Sequence, residues 1–305
     1  MLLTVTSGAA ASIESSPGRV LAYPEVLRCV LCVLVVLGHC DNAFMGFAIA
    51  GVVGFLSMSI GFALLEQEKP KLVRRASTTI RLWLVWSAIY VALLMMKDIL
   101  TGKPLGSFFE PWMLAMGPSM HLWFLPALAI SLLLLGVLSG QRSKLWFAIA
   151  CAFAATSAWI ARDALSADAL PPPLGHAVLT AFLVSLAALS SRLIPPRIPK
   201  AWASLAWICA LIGIGCTQLR ISEFASYAIL VPATVGLCRI EQPRPPSWLI
   251  ACSSLTAGVY LVHPAFIAAL QPLGLDLVVR ASATLVLSAV VVGTARRGPL
   301  RPLFP

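Results

Sequence analysis

Between Glu25 and His39 the chain is almost wholly apolar, yet it carries a carboxylate and a guanidinium at one end and an imidazole at the other. Arg28 and His39 stand eleven residues apart. On a helix that is about three turns plus roughly 20°, with a rise of about 16 Å, so the two side chains share a face at different depths. An ionisable group inside a bilayer costs roughly 2.5–3.5 kcal/mol on insertion scales, which makes each one a functional candidate. Imidazole exchanges a proton near neutral pH. Guanidinium holds a phosphate or a carboxylate. Glu25, one turn before Arg28, is placed to pair with it and lower the cost of burying either group.

The elements that must position these groups are membrane helices. Of 305 residues 59% are hydrophobic and only 11% charged, with a mean hydropathy of +0.91. The charged fraction is about half that of a soluble domain. Apolar runs of helix length recur throughout, and the reading is an all-α polytopic protein with about ten spans. They fall near 25–41, 43–65, 78–96, 120–139, 145–161, 175–191, 202–219, 224–238, 248–270 and 276–295. Proline-rich connectors at 170–174, 195–199 and 243–246 separate them. Placing both termini in the cytoplasm puts fifteen loop cations on the inner side and five on the outer, with Arg28 and Arg81 at inner span ends completing the 22. Topology therefore explains the +10 net charge, and no nucleic-acid partner is needed. Residues 1–19 lack a basic leader region and read as a disordered cytoplasmic tail, with 299–305 as a second cytoplasmic tail.

This topology sorts the candidate residues by depth. Arg28 and Arg81 lie toward the inner face, with the Arg74-Arg75 run just before Arg81. His39, His121 and His263 share the outer half. Tyr260 stands three residues before His263 on the same helical face. His176 has no distinctive setting and reads as structural. Trp123 and Phe124 fit either a sugar site or an interfacial belt. Cys29-x-x-Cys32 has redox or zinc spacing but sits at lipid depth without a second ligand pair, so both cysteines read as small hydrophobes. The three outer histidines, with no helical His pair and no acidic fourth ligand, give no metal site.

The same positions resemble the acyltransferase-3 family of integral membrane acyltransferases. The acid, arginine and histidine of the first helix look like its opening motif. Arg74-Arg75 with Arg81-Leu82 and Trp86-Ser87, His121-Leu-Trp-Phe-Leu125, and Ser254 with Gly258-Val-Tyr-Leu-Val-His-Pro264 follow in the family's order over about 80% of the chain. Two segments depart. Ser59-Ile60-Gly61-Phe62 displaces a serine by one position, and Trp83-Leu-Val replaces the usual Pro-Tyr. The resemblance implies an acyltransferase-3-like transmembrane domain over 20–298 in a bacterial inner (cytoplasmic) membrane. It implies transfer of an acyl group, acetyl foremost, from the co-substrate acyl-CoA to a hydroxyl of a surface or lipid-linked glycan, with no bound cofactor.

On that reading His39 is the general base, and Arg28 and Arg81 bind the donor with help from Arg74, Arg75 and Glu25. His121 and His263 either orient the acceptor or relay the proton. Tyr260 donates to the developing oxyanion, and Trp123 lines the acceptor site. The shared face of Arg28 and His39 suggests a channel for the donor's acyl arm. The rival reading is a glycan or lipid-precursor transporter or flippase. All twelve acids lie in the tail, loops or span ends, which weighs against proton coupling but not against a facilitated path.

Overall fold

The computed structural model describes residues 22–66, 69–118, 120–138, 144–164, 172–240, 245–300 and 304. The tail expected over 1–19 lies outside them. A chain surrounded by lipid must satisfy its backbone within each segment, and long apolar runs do so as helices. Among the described residues there are ten long ones. They are α1 (Ala22–Cys40), α2 (Met45–Glu66), α3 (Lys69–Leu100), α4 (Phe124–Leu138), α5 (Lys144–Ala164), α6 (Pro172–Leu193), α7 (Ala203–Gln218), α8 (Glu223–Leu237), α9 (Ser247–Leu270) and α10 (Leu277–Ala295). A single β-bridge joins Ile198 to Ile240, and no strand occurs among the described residues. The protein is all-α and multi-pass. Seven helical stretches are long and apolar enough to cross a membrane, while α4, α5 and α8 present shorter apolar stretches.

Two elements differ from expectation. The third helix begins at Lys69, nine residues before the expected span, because Lys and Arg are good helix formers and the basic run does not interrupt it. The fourth begins at Phe124; residues Met120–Trp123 form a 3-10 turn instead. Gly117 (φ +92°) and Pro118 break the chain just before this turn. Pro126 then falls in the first turn of α4, where a missing N–H costs nothing.

The centre of the bundle is the antiparallel pair α1–α2, with α9 against α1 and α10 closing over both α1 and α9. Helices α6, α7 and α8 pack on α2, α5 covers α6, and α3 runs along α4. In lipid, apolar burial does not draw helices together, so close backbone approach must supply the attraction. Glycines permit it here. A Cβ on Gly38 would lie 2.6 Å from the Ala48 Cβ, and one on Gly51 would lie 2.8 Å from the Leu31 carbonyl oxygen. Gly54 receives the Leu31 side chain in the same way.

Polar ties hold the ends. Gln218, at the close of α7, donates to the Ala43 carbonyl (2.7 Å) and accepts from the Phe47 N–H (3.1 Å), satisfying the start of α2. Asp98, buried near the end of α3, accepts from the N–H groups of Gly106 and Ser107 (3.1 Å each) and from the Ser107 hydroxyl (2.9 Å). Arg239, read from sequence as a loop charge, is buried and donates to the Ile194 carbonyl beyond the end of α6. Phe304 is also buried, its ring 5.5 Å from that of Trp86 on α3.

The α1–α2 contact predicts an asymmetry among glycines. Gly51→Val should destabilise the protein by roughly 1–3 kcal/mol through overpacking. Gly215→Ala, where nothing lies within 4 Å of the added Cβ, should cost nothing. Thermal unfolding in detergent checks both; equal effects would show that the glycine contact does not hold the pair.

Candidate active site

Arg28 and Glu25 meet as their spacing demands, with guanidinium and carboxylate 3.1 Å apart and both partly exposed. Glu25 also accepts a hydrogen bond from the hydroxyl of Ser253 on α9. The Arg28 guanidinium carbon lies 5.7 Å from the centre of the Phe62 ring on α2, within cation–π range. Three helices thus orient one cation: α1 carries it, α9 fixes its carboxylate, and α2 supplies an aromatic face.

The other end of α1 brings His39 to His263, their ring centres 5.3 Å apart. His263 is fully buried. Its orientation follows from the next residue. Inside a helix the carbonyl of residue i accepts from the N–H of residue i+4, but Pro264 has no N–H. The Tyr260 carbonyl is therefore left without its helical donor. His263 Nδ1 stands 2.8 Å from that oxygen and 3.3 Å from the Val259 oxygen. A carbonyl only accepts, so Nδ1 carries the hydrogen and the neutral ring keeps its lone pair on Nε2. Tyr90 on α3 donates its hydroxyl to the Leu261 carbonyl (2.8 Å), which pins the same turn of α9 from a second helix.

A file of rings continues from this pair. Tyr260 lies 5.8 Å from His263, 6.3 Å from Phe55 and 5.6 Å from Phe124. The neighbouring Trp123 packs on His176 at 4.7 Å. The first turn of α4 is thereby brought to the histidine of α9, and His176, read as structural, joins the aromatic cluster. His121 lies in the turn Met120–Trp123, but its side chain falls outside the described residues.

The face of α1 between Arg28 and His39 carries packed side chains. Leu31 and Val35, both buried, fill it against Gly51 and Gly54. Among the described residues, the glycines of α2 draw its backbone onto these two side chains of that face. On α2, half-buried Phe62, Ser59 and Phe55 succeed one another at helical spacing, with Phe62 beside Arg28 and Phe55 beside Tyr260. Arg81 is not brought to Arg28. It is exposed on α3, which packs along α4 rather than α1. Arg74 is exposed and Arg75 half-buried on the same helix.

Two contributors escape a sequence reading. Ser253 carries no motif of its own, although it lies two turns before Tyr260 on one face of α9. Arg280 on α10 donates to the Cys40 carbonyl, the residue after His39. It left a trace, because a cation in the first turn of a helix opposes the macrodipole. Such a cation is better used at the carbonyl end of a neighbouring helix, which is where Arg280 is.

A family model described as an acyltransferase domain matches residues 21–295. No curated protein and no solved structure matches the chain.

Glu25→Ala should leave the Arg28 guanidinium without its carboxylate and Ser253 with only the Ile250 carbonyl of its own helix as acceptor. Because both ions are partly exposed, the loss should be about 1–2 kcal/mol, seen as a lowered unfolding temperature in detergent. Ser253→Ala should show a smaller loss in the same direction. An unchanged temperature in both would mean that this contact does not join α1 to α9.

Proposed function

Because the chain belongs to the acyltransferase-3 family, we propose that it moves an acyl group, acetyl foremost, from acyl-CoA to a hydroxyl of a surface or lipid-linked glycan. The observation that carries the proposal is the division of labour along α1, with an oriented arginine at one end and a histidine pair at the other. Acyl transfer from a phosphate-bearing thioester needs both functions. An anionic donor needs a guanidinium anchor, and the attacking hydroxyl needs a base.

In the proposed reaction Arg28 anchors the phosphates of the donor at the cytoplasmic face, with Arg74, Arg75 and Arg81 as a basic approach along α3. The acyl arm follows Phe62, Ser59 and Phe55 toward the histidines. His39 takes the proton from the acceptor hydroxyl as its oxygen bonds to the thioester carbonyl carbon. The carbon–sulfur bond then breaks, and the proton leaves with the sulfur as CoA thiol. Tyr260 donates to the developing oxyanion. His121, Trp123 and His176 border the acceptor. The protein works as a multi-pass enzyme of the bacterial inner membrane.

Acetyl-CoA consumption by the purified protein in liposomes, supplied with envelope glycolipid, tests this. His39→Ala should lower kcat by about 10²–10⁴-fold, the usual scale of a general base. Arg28→Ala should raise KM for the donor by roughly 10- to 100-fold, as one charged hydrogen bond is lost. If the wild type neither binds nor consumes acyl-CoA, the transferase reading falls and transport of a glycan or lipid precursor takes its place.

A further inference from the structure

We propose that Arg239 and Arg192, with the hydroxyls of Ser191 and Thr234, form a subsite for a phosphomonoester at the inner ends of α2, α6 and α8. In the acyl-transfer reading that group is the ribose phosphate of the CoA donor. The proposal rests on that reading for the bearer of the phosphate, and not for the subsite itself.

The sequence marks Arg239 only as a loop charge, yet it is buried just beyond the end of α8. A buried cation needs a partner of opposite charge or a full set of hydrogen bonds. Arg239 has neither among the described residues. It donates to the Ile194 carbonyl, which suits a cation at the carbonyl end of α6. It makes no ion pair, and its Nε is buried without an acceptor. Its charged neighbour is a like one. Burial lowers the Arg239 pKa first of all, and the guanidinium of Arg192, in the last turn of α6, adds to that. Arginine does not relieve this by losing its proton. Two cations held near each other favour an anion of more than one charge, as a phosphomonoester is near neutral pH.

The neighbouring side chains supply further donors. The hydroxyls of Ser191, next to Arg192, and of Thr234, one turn before Cys238, are buried without a hydrogen-bond partner. A Cβ on Gly61 would meet Val235 at 3.7 Å and the Ser191 oxygen at 4.0 Å, so α2 leaves space where α6 and α8 come together. Gly61 precedes Phe62, whose ring lies beside Arg28. The charges of Arg28, Arg239 and Glu25 all act on the Cys238 thiol, which brings the two cationic groups into one neighbourhood. Arg239 thus takes the place that depth alone assigns to Arg81. Guanidinium and hydroxyl donors on facing helix ends match the several acceptor oxygens of a phosphate. Exposed Arg197 and Lys200 stand on the connector between α6 and α7, whose Ile198 N–H donates to the Arg239 carbonyl (3.0 Å). They give an anion its approach from water.

The test is calorimetric binding of CoA and of dephospho-CoA, which lacks the ribose phosphate, to the protein in phosphatidylcholine nanodiscs. The wild type should bind CoA the more tightly, by roughly 10- to 100-fold. Arg239→Gln keeps an N–H for the Ile194 carbonyl and should bind the two alike. Thr234→Val has nearly the same shape and removes an unpartnered hydroxyl. Without ligand its unfolding temperature should equal or exceed that of the wild type, while its preference for CoA falls roughly three- to tenfold.

A preference for CoA that survives in Arg239→Gln overturns the proposal. So does a Thr234→Val protein that is less stable yet keeps the full preference, the pattern of a purely structural hydroxyl. Phosphatidylglycerol in the nanodisc that stabilises the wild type but not Arg239→Gln, with CoA bound alike by both, would assign the site to a lipid headgroup and overturn it too. If the wild type binds neither nucleotide, the acyl-transfer reading fails, and inorganic phosphate decides the subsite alone. It should then raise the unfolding temperature of the wild type and not of Arg239→Gln, and equal responses overturn the subsite.

Discussion

The closeness of α1 to α2 is the constraint on which the rest depends. Two helix backbones come together because Gly38, Gly51 and Gly54 leave nothing between them. In lipid this contact is not driven by water leaving apolar surface, so it relies on fit. The fit decides what lies on the shared face. Leu31 and Val35 become packing residues, and only the two ends of α1 remain for polar groups. Arg28 is set over Phe62 at one end, and His39 is set against α9 at the other.

A second helix answers each end. On α9, Ser253 donates to the carboxylate beside Arg28, and His263, ten residues further along, packs its ring beside that of His39. Between them the helix is ordinary until Pro264 interrupts its hydrogen bonding. The interruption is local, and the backbone carbonyl it frees is satisfied. The freed carbonyl of Tyr260 meets His263, and the Leu261 carbonyl has Tyr90 as an additional donor. Buried polar groups in a membrane interior are costly unless paired, and here the pairing itself gives the imidazole a direction.

Much of this was legible in the sequence, and the remainder was hidden for identifiable reasons. Spacing along one helix placed Glu25 beside Arg28 and put Arg28 and His39 on one face. Depth argued from loop charges put His39, His121 and His263 in one half of the membrane. What sequence could not supply was the rotation of one helix against another. Arg81 has the right depth for a partner of Arg28, but α3 packs on α4 and turns it outward. Leu31 and Val35 appear as unremarkable apolar residues until the register of the α2 glycines is known. Arg280 and Ser253 act across helices, where no local pattern marks them.

The plug made by Leu31 and Val35 has an electrical consequence. A membrane enzyme whose polar groups reach in from both sides risks giving protons and ions a path across the bilayer. On this face of α1 the two polar ends are separated by packed hydrocarbon, and on a membrane-spanning helix the transmembrane voltage falls mainly across such a layer. Each elementary charge crossing 100 mV is worth about 2.3 kcal/mol. A protonated imidazole on the far side of the plug would therefore feel little of that field, while a charge moved past the plug would feel most of it. In the enzyme proposed here, protons reaching either end of α1 would not cross by this face.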